Sequence, residues 1–216
     1  MTIEVIENTK AFVRKHLGTE GTGHDFWHAS RVRNTATAIQ AVEGGDPLIV
    51  ELAAWLHDVG DRKVLNQPDD DPTVAANFLR TQKISPAIID AVMDIIEHMS
   101  YSKSLDNPSA KKTLEQKIVE DADKLDAVGA IGIARAFSFG GNRNRLIYDP
   151  EYTAQTFTSS KEYKNAGGST FHHFEEKLLL LKDLMNTKAG KAIAKDRDIY
   201  MREFLKQFLE EWDGNR

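Results

Sequence analysis

Apolar residues recur at three- and four-residue spacing along most of the chain, and the segments carrying this rhythm read as amphipathic helices. Ile3, Ile6, Phe12, Val13 and Leu17 form a stripe over residues 1–17 that Gly18 stops. From His24 to about Val42, the positions His28, Val32, Thr35, Ala36 and Ile39 fall on one face, closed by Gly44 and Gly45. Three helix starts share an N-cap residue followed by proline: Asp46-Pro47, Asp71-Pro72 and Ser85-Pro86. The first opens the apolar run Leu52-Ala53-Ala54-Trp55-Leu56 that ends in His57-Asp58; the second runs through Ala75, Phe78 and Leu79; the third carries Ile88, Val92, Ile95 and Met99 and ends near His98. Asp69-Asp70-Asp71 reads as a solvated loop and cap, because it lacks the alternating ligand spacing of a calcium loop.

A further helical stretch is predicted from Thr113 through Ala136, rich in small residues that let neighbours approach closely. Residues 137–170 break the rhythm with Gly140-Gly141, Pro150 and Gly167-Gly168 yet keep several aromatics. So long an irregular stretch reads as a lid or binding loop, with Arg143, Arg145, Lys161 and Lys164 as candidate anion contacts, or as a surface excursion or subunit contact. Phe171, Phe174, Leu178, Leu181 and Met185 define one C-terminal helix, and Ile193, Tyr200, Phe204, Phe208 and Trp212 another. Apart from a short hairpin around Arg145 to Tyr148 no strand is indicated, so the expected fold is all-α, a bundle of antiparallel helices. The expected organisation is one domain over 1–216, with a core at about 20–136, a lid at 137–170 and C-terminal helices at 171–212.

Composition narrows the chemistry. The 216 residues include no cysteine, so disulfides, thiolate metal sites and cysteine nucleophiles are excluded, and any metal must be held by imidazoles and carboxylates. A net charge of −5 argues against broad nucleic-acid binding. No apolar run approaches membrane-spanning length, and the first residues carry acids where a signal peptide carries bases, so a cytoplasmic location is expected.

His57-Asp58 at the end of a buried run places an imidazole and a carboxylate where desolvation must be compensated. A cation would do this; a satisfied histidine and a solvated aspartate would also account for the dipeptide alone. His28 faces inward by its stripe, although a core histidine bonded to a carbonyl fits that position as well. Among Asp121, Asp123 and Asp126, Asp123 has Val119, Ala127 and Ala130 on its face and is read as the inward carboxylate. Asp121 and Asp126 are assigned to the margin, paired with Lys117 or solvent. His28, His57, Asp58 and Asp123 thus offer two nitrogens and two oxygens from three helices. One divalent ion with open positions suits them, Mn being favoured among Mn, Mg, Co, Fe and Ni.

This ordered set, with the stretches His24-Asp25-Phe26-Trp27-His28-Ala29-Ser30-Arg31-Val32 and Asp121-Ala122-Asp123-Lys124-Leu125-Asp126-Ala127-Val128-Gly129-Ala130-Ile131-Gly132-Ile133-Ala134-Arg135 and, at the carboxyl end, His173, Phe174, Glu176, Lys177 and Leu178 with Met185-Asn186-Thr187, resembles the HD-domain metal-dependent phosphohydrolases, in a compact bacterial branch. The resemblance implies a phosphohydrolase acting on nucleotides, with nucleoside triphosphates cleaved to monophosphate and pyrophosphate by a metal-activated water. Asp61 lies where related alarmone hydrolases carry an acid after their His-Asp pair, and is the candidate for orienting or deprotonating that water. Arg62 stands where those enzymes have a second acid, which argues against alarmone hydrolysis. The candidate phosphate contacts are Arg31, Lys63, His98 and Lys124. The extra histidines His24, His98, His172 and His173 have no assigned place in a second metal site, so one metal is expected. The absence of a Gly-Tyr-Pro signature sets aside the cyclic-dinucleotide branch. The alternatives are a 5'-nucleotidase or other phosphomonoesterase, a non-catalytic nucleotide-sensing module, and a helical dimer stabilised by metal. The expected partners are a nucleotide or other phosphorylated small molecule and a second copy of the chain.

Overall fold

The computed structural model describes residues 2–18, 23, 25–61, 70–99, 111–157, 162 and 167–215. Among them the regular structure is entirely helical: α1 (Thr2–Leu17), α2 (Phe26–Glu43), α3 (Pro47–Leu56), α4 (Thr73–Thr81), α5 (Pro86–His98), α6 (Leu114–Asp126), α7 (Gly129–Asn142), α8 (Thr170–Glu176), a 3-10 helix (Leu178–Leu184) and α9 (Lys188–Trp212). No helix of the described residues is long and apolar enough to cross a membrane.

The helix starts follow the capping chemistry. Asp46 accepts from the N–H groups of Leu48 and Ile49, and Ser85 from that of Ile88, each with proline at the first helical position. At the second such start the helix begins one residue later, at Thr73, whose N–H and hydroxyl both donate to Asp71. Asp25 caps α2 through the His28 N–H at 2.7 Å, which fixes the first turn of the helix that carries His28.

At the centre α2 packs along both α6 and α3, with α5, α1 and α9 laid around them. Val32, Ala36 and Ile39 from α2, Leu52, Ala53 and Leu56 from α3, and Ile118, Ala122 and Leu125 from α6 are fully or almost fully buried there. On α1 the buried positions are Val5, Thr9, Val13 and Leu17; Ile3, read as part of its apolar stripe, is 81% exposed, and Phe12 stacks on Phe78.

Four sequence expectations are corrected. The single helix expected over 113–136 is two, because Val128 is extended and Gly129 takes φ +79°, with the Arg197 side chain packed where a Cβ would lie. The second of these continues through Gly140 and Gly141 to Asn142, so the irregular stretch begins only after it; Gly140 belongs in the helix because the Thr170 side chain packs against it. The expected hairpin at 145–148 is not a strand pair: the carbonyls of Leu146 and Ile147 instead accept from the N–H groups of Thr170 and Phe171, which start α8. The segment from Phe171 to Met185 breaks at Lys177 into α8 and the 3-10 helix, although its predicted apolar residues are all buried.

The long C-terminal helix also turns a different face inward. Its buried positions are Gly190, Ala194, Asp198, Met201 and Leu205, whereas Tyr200 and Trp212 are exposed and Phe204 and Phe208 sit at the flank against Phe137. Small residues win the central stripe because α9 comes close to α6: a Cβ on Gly190 would collide with the Asp121 carboxylate.

Candidate metal centre

His28 and His57 approach each other through their Nε2 atoms, 3.1 Å apart. Their Nδ1 atoms decide what those Nε2 atoms carry. His28 Nδ1 lies 2.6 Å from Asp126 Oδ2 and His57 Nδ1 lies 2.9 Å from the Ala54 carbonyl, and both partners can only accept. Each neutral ring therefore keeps its proton on Nδ1 and points an Nε2 lone pair at the other. Two facing lone pairs repel unless something positive lies between them.

The carboxylates reinforce the demand. Asp58 Oδ2 is 3.4 Å from His28 Nε2 and 3.5 Å from His57 Nε2, and Asp123 Oδ1 is 3.4 and 3.8 Å from the same two atoms. Burial works against a charge on His28, but Asp123, Asp126 and Asp58 outweigh it, with Arg135 opposing, and its pKa rises from 6.5 to about 9. Crowding likewise works against ionisation of Asp123, yet His28 and His57 hold its carboxyl well below the usual range.

The donor set fits a divalent ion. Bonds of about 2.1 Å place neighbouring ligand atoms about 3.0 Å apart in an octahedron and about 3.4 Å apart in a tetrahedron. The separations of 3.1 and 3.4 Å around His28 Nε2 lie in that interval, while the edges from His57 to Asp58 and Asp123 are longer, at 3.5 and 3.8 Å. Ligand atoms of His28, His57 and Asp58 all lie within 4.8 Å of one another. The His28 and Asp58 side chains are buried, while that of Asp123 is 39% exposed, so the cluster opens to solvent on the Asp123 side.

Local backbone supports the arrangement. Past Asp58 the chain reverses through Gly60 at φ +103°, whose carbonyl accepts from Asp71; a Cβ there would strike the Asp71 carbonyl oxygen. The Asp61 N–H donates to the Asp58 carbonyl at 3.1 Å, which places Asp61 one turn beyond His57 and Asp58.

The remaining candidates are distributed differently. Arg31 reaches the edge of the cluster, where its Nε and Nη2 donate to Asp126 at 2.7 and 3.0 Å. Lys124 is buried, and its ammonium donates to Glu120 and to the Leu184 carbonyl, a contact with the C-terminal segment. His98 is exposed at the end of α5, its Nδ1 facing the Asp94 carbonyl at 2.8 Å. Lys63, together with Arg62, His24, Lys161 and Lys164, lies outside the described residues. Arg143 is exposed and lies over the Phe139 ring. His172 is buried against Ser169, and burial, with Lys177 and Arg145 nearby, lowers the His173 pKa to about 3.

Two aspartates expected at the margin are buried. Asp121 has no exposed surface; its oxygens accept from the N–H and side-chain amide of Asn186 and from the N–H and hydroxyl of Thr187, capping α9. Asp126, at 5% exposure, lies behind His28, where Arg31 and Arg135 also converge. Burial opposes its charge, but His28 and Arg31 hold its carboxyl well below the usual range. Asp126 and Arg135 adjoin the cluster, and the sequence reading assigned neither of them a place there. Their signal was present: Asp126 lies three residues after Asp123, which on a helix is the same face.

Residues 26–128 match the HD domain family model, spanning α2 to α6 and therefore the whole donor set. An uncharacterised protein of Bacillus subtilis, YpgQ, is 34% identical over 208 residues, covering 96% of this chain and 94% of its own. A Lactobacillus plantarum protein of solved structure is 36% identical and superposes with a TM-score of 0.84 over 99% of both chains. An HD-superfamily hydrolase from Bacillus thuringiensis is 38% identical, with a TM-score of 0.77 over 99% of both chains. YpgQ itself has been solved in complex with ADP; that structure is 33% identical, with a TM-score of 0.75 over 95% of this chain and 96% of the other.

Proposed function

The chain belongs to the HD-domain family and is a metal-dependent phosphohydrolase, and from that premise we propose that it hydrolyses nucleoside or deoxynucleoside triphosphates to the monophosphate and pyrophosphate. The observation that carries the reading is the close grouping of His28, His57 and Asp58, with the Asp123 carboxylate 3.4 and 3.8 Å from the two imidazole Nε2 atoms and partly open to solvent. The ADP complex of YpgQ supports a nucleotide as the substrate class.

His28, His57, Asp58 and Asp123 would hold the ion. With two nitrogen and two oxygen ligands and no thiolate, Mn²⁺ is the favoured choice among divalent ions with open positions. When bound, such an ion supplies a Lewis acid for the phosphoryl oxygens and acidifies a coordinated water. The chain's own residues do the rest. Asp61 is assigned as the proton acceptor that orients the attacking water. Arg31, whose Nη1 makes no hydrogen bond among the described residues, is assigned to hold a phosphate oxygen while Asp126 fixes the rest of its guanidinium. The buried walls formed by His28 and Asp58 exclude water from the inner side, which strengthens these contacts.

The test is to incubate the purified protein with Mn²⁺ and a panel of triphosphates, monophosphates and an alarmone, and to separate the products by anion exchange. Monophosphate plus pyrophosphate from the triphosphates is expected. Inorganic phosphate from monophosphates would replace the reading with a nucleotidase, and no product from any substrate while Mn²⁺ is bound would replace it with a sensing module. His57→Ala should lose Mn²⁺ binding and turnover with its helical circular dichroism retained; normal turnover in that variant refutes the ligand assignment.

A further inference from the structure

Asp126 is not one of the four converging donors, yet it touches His28 more closely than any of them does. Its Oδ2 lies 2.6 Å from His28 Nδ1 and also accepts from Arg31 Nη2 at 3.0 Å and Arg135 Nη1 at 2.8 Å, while its Oδ1 accepts from Arg31 Nε at 2.7 Å. Arg135 is in turn anchored by donating from Nη2 to the Gly23 carbonyl at 2.8 Å and from Nη1 to the Asp126 carbonyl at 3.2 Å. A carboxylate held by two guanidiniums cannot rotate away from the imidazole and has no reason to take a proton from it.

We infer that Asp126 is a positioning residue for the metal centre: clamped by Arg31 and Arg135, it holds the His28 proton on Nδ1 and so keeps Nε2 free to bind the ion. The inference rests on the metal-dependent reading above. An outer carboxylate of this kind sets both the tautomer and the ring plane of a ligand histidine. The ring plane matters here because His28 Nε2 must meet His57 Nε2, Asp58 and Asp123 at one point.

Asp126→Asn separates the carboxylate from its shape. An amide nitrogen at the Oδ2 position would face three N–H donors, and at the Oδ1 position it would face Arg31 Nε–H. In the first arrangement it also offers its own proton to His28 Nδ1, which drives the ring proton to Nε2, the atom that must bind metal. Mn²⁺ titration calorimetry should show affinity reduced by about 10- to 100-fold. Arg135→Gln removes one arm of the clamp and leaves Arg31 and the imidazole contact, so its affinity should fall, by less than that of Asp126→Asn. Unchanged affinity in Asp126→Asn overturns the inference, as does a larger loss in Arg135→Gln than in Asp126→Asn, which would put the effect in the arginine and not in the carboxylate. Should Asp126→Asn fail to fold, imidazole ¹H–¹⁵N spectra of the Zn²⁺-loaded wild type decide the matter: a slowly exchanging His28 Nδ1–H is expected, and an unprotonated Nδ1 overturns the inference. If wild type binds neither ion, or His57→Ala binds them equally well, the metal-dependent reading itself has failed. If wild type binds, His57→Ala does not and Asp126→Asn is unaffected, the inference about Asp126 alone has failed.

Discussion

Replacing Asp121 by asparagine tests whether this carboxylate is a cap or a site residue. Its Oδ1 accepts from the N–H and side-chain amide of Asn186, and its Oδ2 from the N–H and hydroxyl of Thr187. An asparagine amide therefore faces at least one backbone N–H whichever way it turns. Up to two of four bonds to a charged acceptor are lost, at about 1.5–3 kcal/mol each, and the survivors weaken to about 1 kcal/mol each. Relief of the charge's desolvation offsets part of this, leaving a net loss of about 2–4 kcal/mol. For a chain of 216 residues that is a fall in Tm of roughly 5–12 °C, read by circular dichroism. Mn²⁺ affinity measured well below the transition should be retained, because the Asp121 bonds run to Asn186 and Thr187 and not to the cluster. A fall of less than about 2 °C, or lost metal binding with an unchanged melt, would refute the cap and return Asp121 to the site.

Ion binding should be visible as stability. Mn²⁺ at 100 times its dissociation constant should stabilise the fold by about 2.7 kcal/mol and a chelator should reverse this; melts that coincide with and without Mn²⁺ would contradict the site. In chelator-treated protein the pH dependence follows from His28. Its folded pKa is about 9 against 6.5 unfolded, so its contribution is complete below 6.5 and fades as pH rises through about 9. The urea-midpoint gap between wild type and His28→Gln should shrink over that interval, and a constant or widening gap would reject the assignment. Gly60→Ala should cost about 2 kcal/mol or more, since φ is +103° and the new methyl meets the Asp71 carbonyl. Because Gly60 lies two residues beyond Asp58, Mn²⁺ affinity should fall as well; a calorimetric titration matching wild type would show that this turn does not position the ligand.

The donor residues were legible because each has a local signature. His28 lies on an apolar stripe, His57-Asp58 ends a buried run, and Asp123 is flanked by small apolar residues at helical spacing. The caps Asp46 and Ser85 were legible for the same reason, since their bonds close within three residues. The fates of Asp121 and Asp126 were not, because the partners that bury them come from 65 and 98 residues away. The inward face of α9 was hidden differently: apolar residues occur on several sides of that helix, and the choice fell to the small residues Gly190 and Ala194 through the close approach of α6. The break at Val128 depends on Gly129 with φ +79°, and in a run of helix-compatible small residues nothing local marks that glycine as a breaker.

The acids of α6 show how one helix serves the site and the fold together. At about 100° per residue, Asp123 and Asp126 stand about 60° apart on one face, while Asp121 points roughly 140° or more from either. The first pair therefore meets His28 from the front and from behind, and Asp121 reaches the opposite side, where it caps α9. Glu120, also buried, takes Lys112 and Lys124 as its counter-charges. Each of these carboxylates has a different kind of compensation: ammonium groups for Glu120, peptide and hydroxyl donors for Asp121, guanidiniums for Asp126. Asp123 faces the two imidazoles, and His28 and His57 hold its carboxyl well below the usual range. An ion bound among these donors would take over that compensation, and separations of 3.1 and 3.4 Å suit one of divalent-metal size. The docking of α9 on Asp121 then fixes α6, and with it the position from which Asp123 faces the two imidazoles.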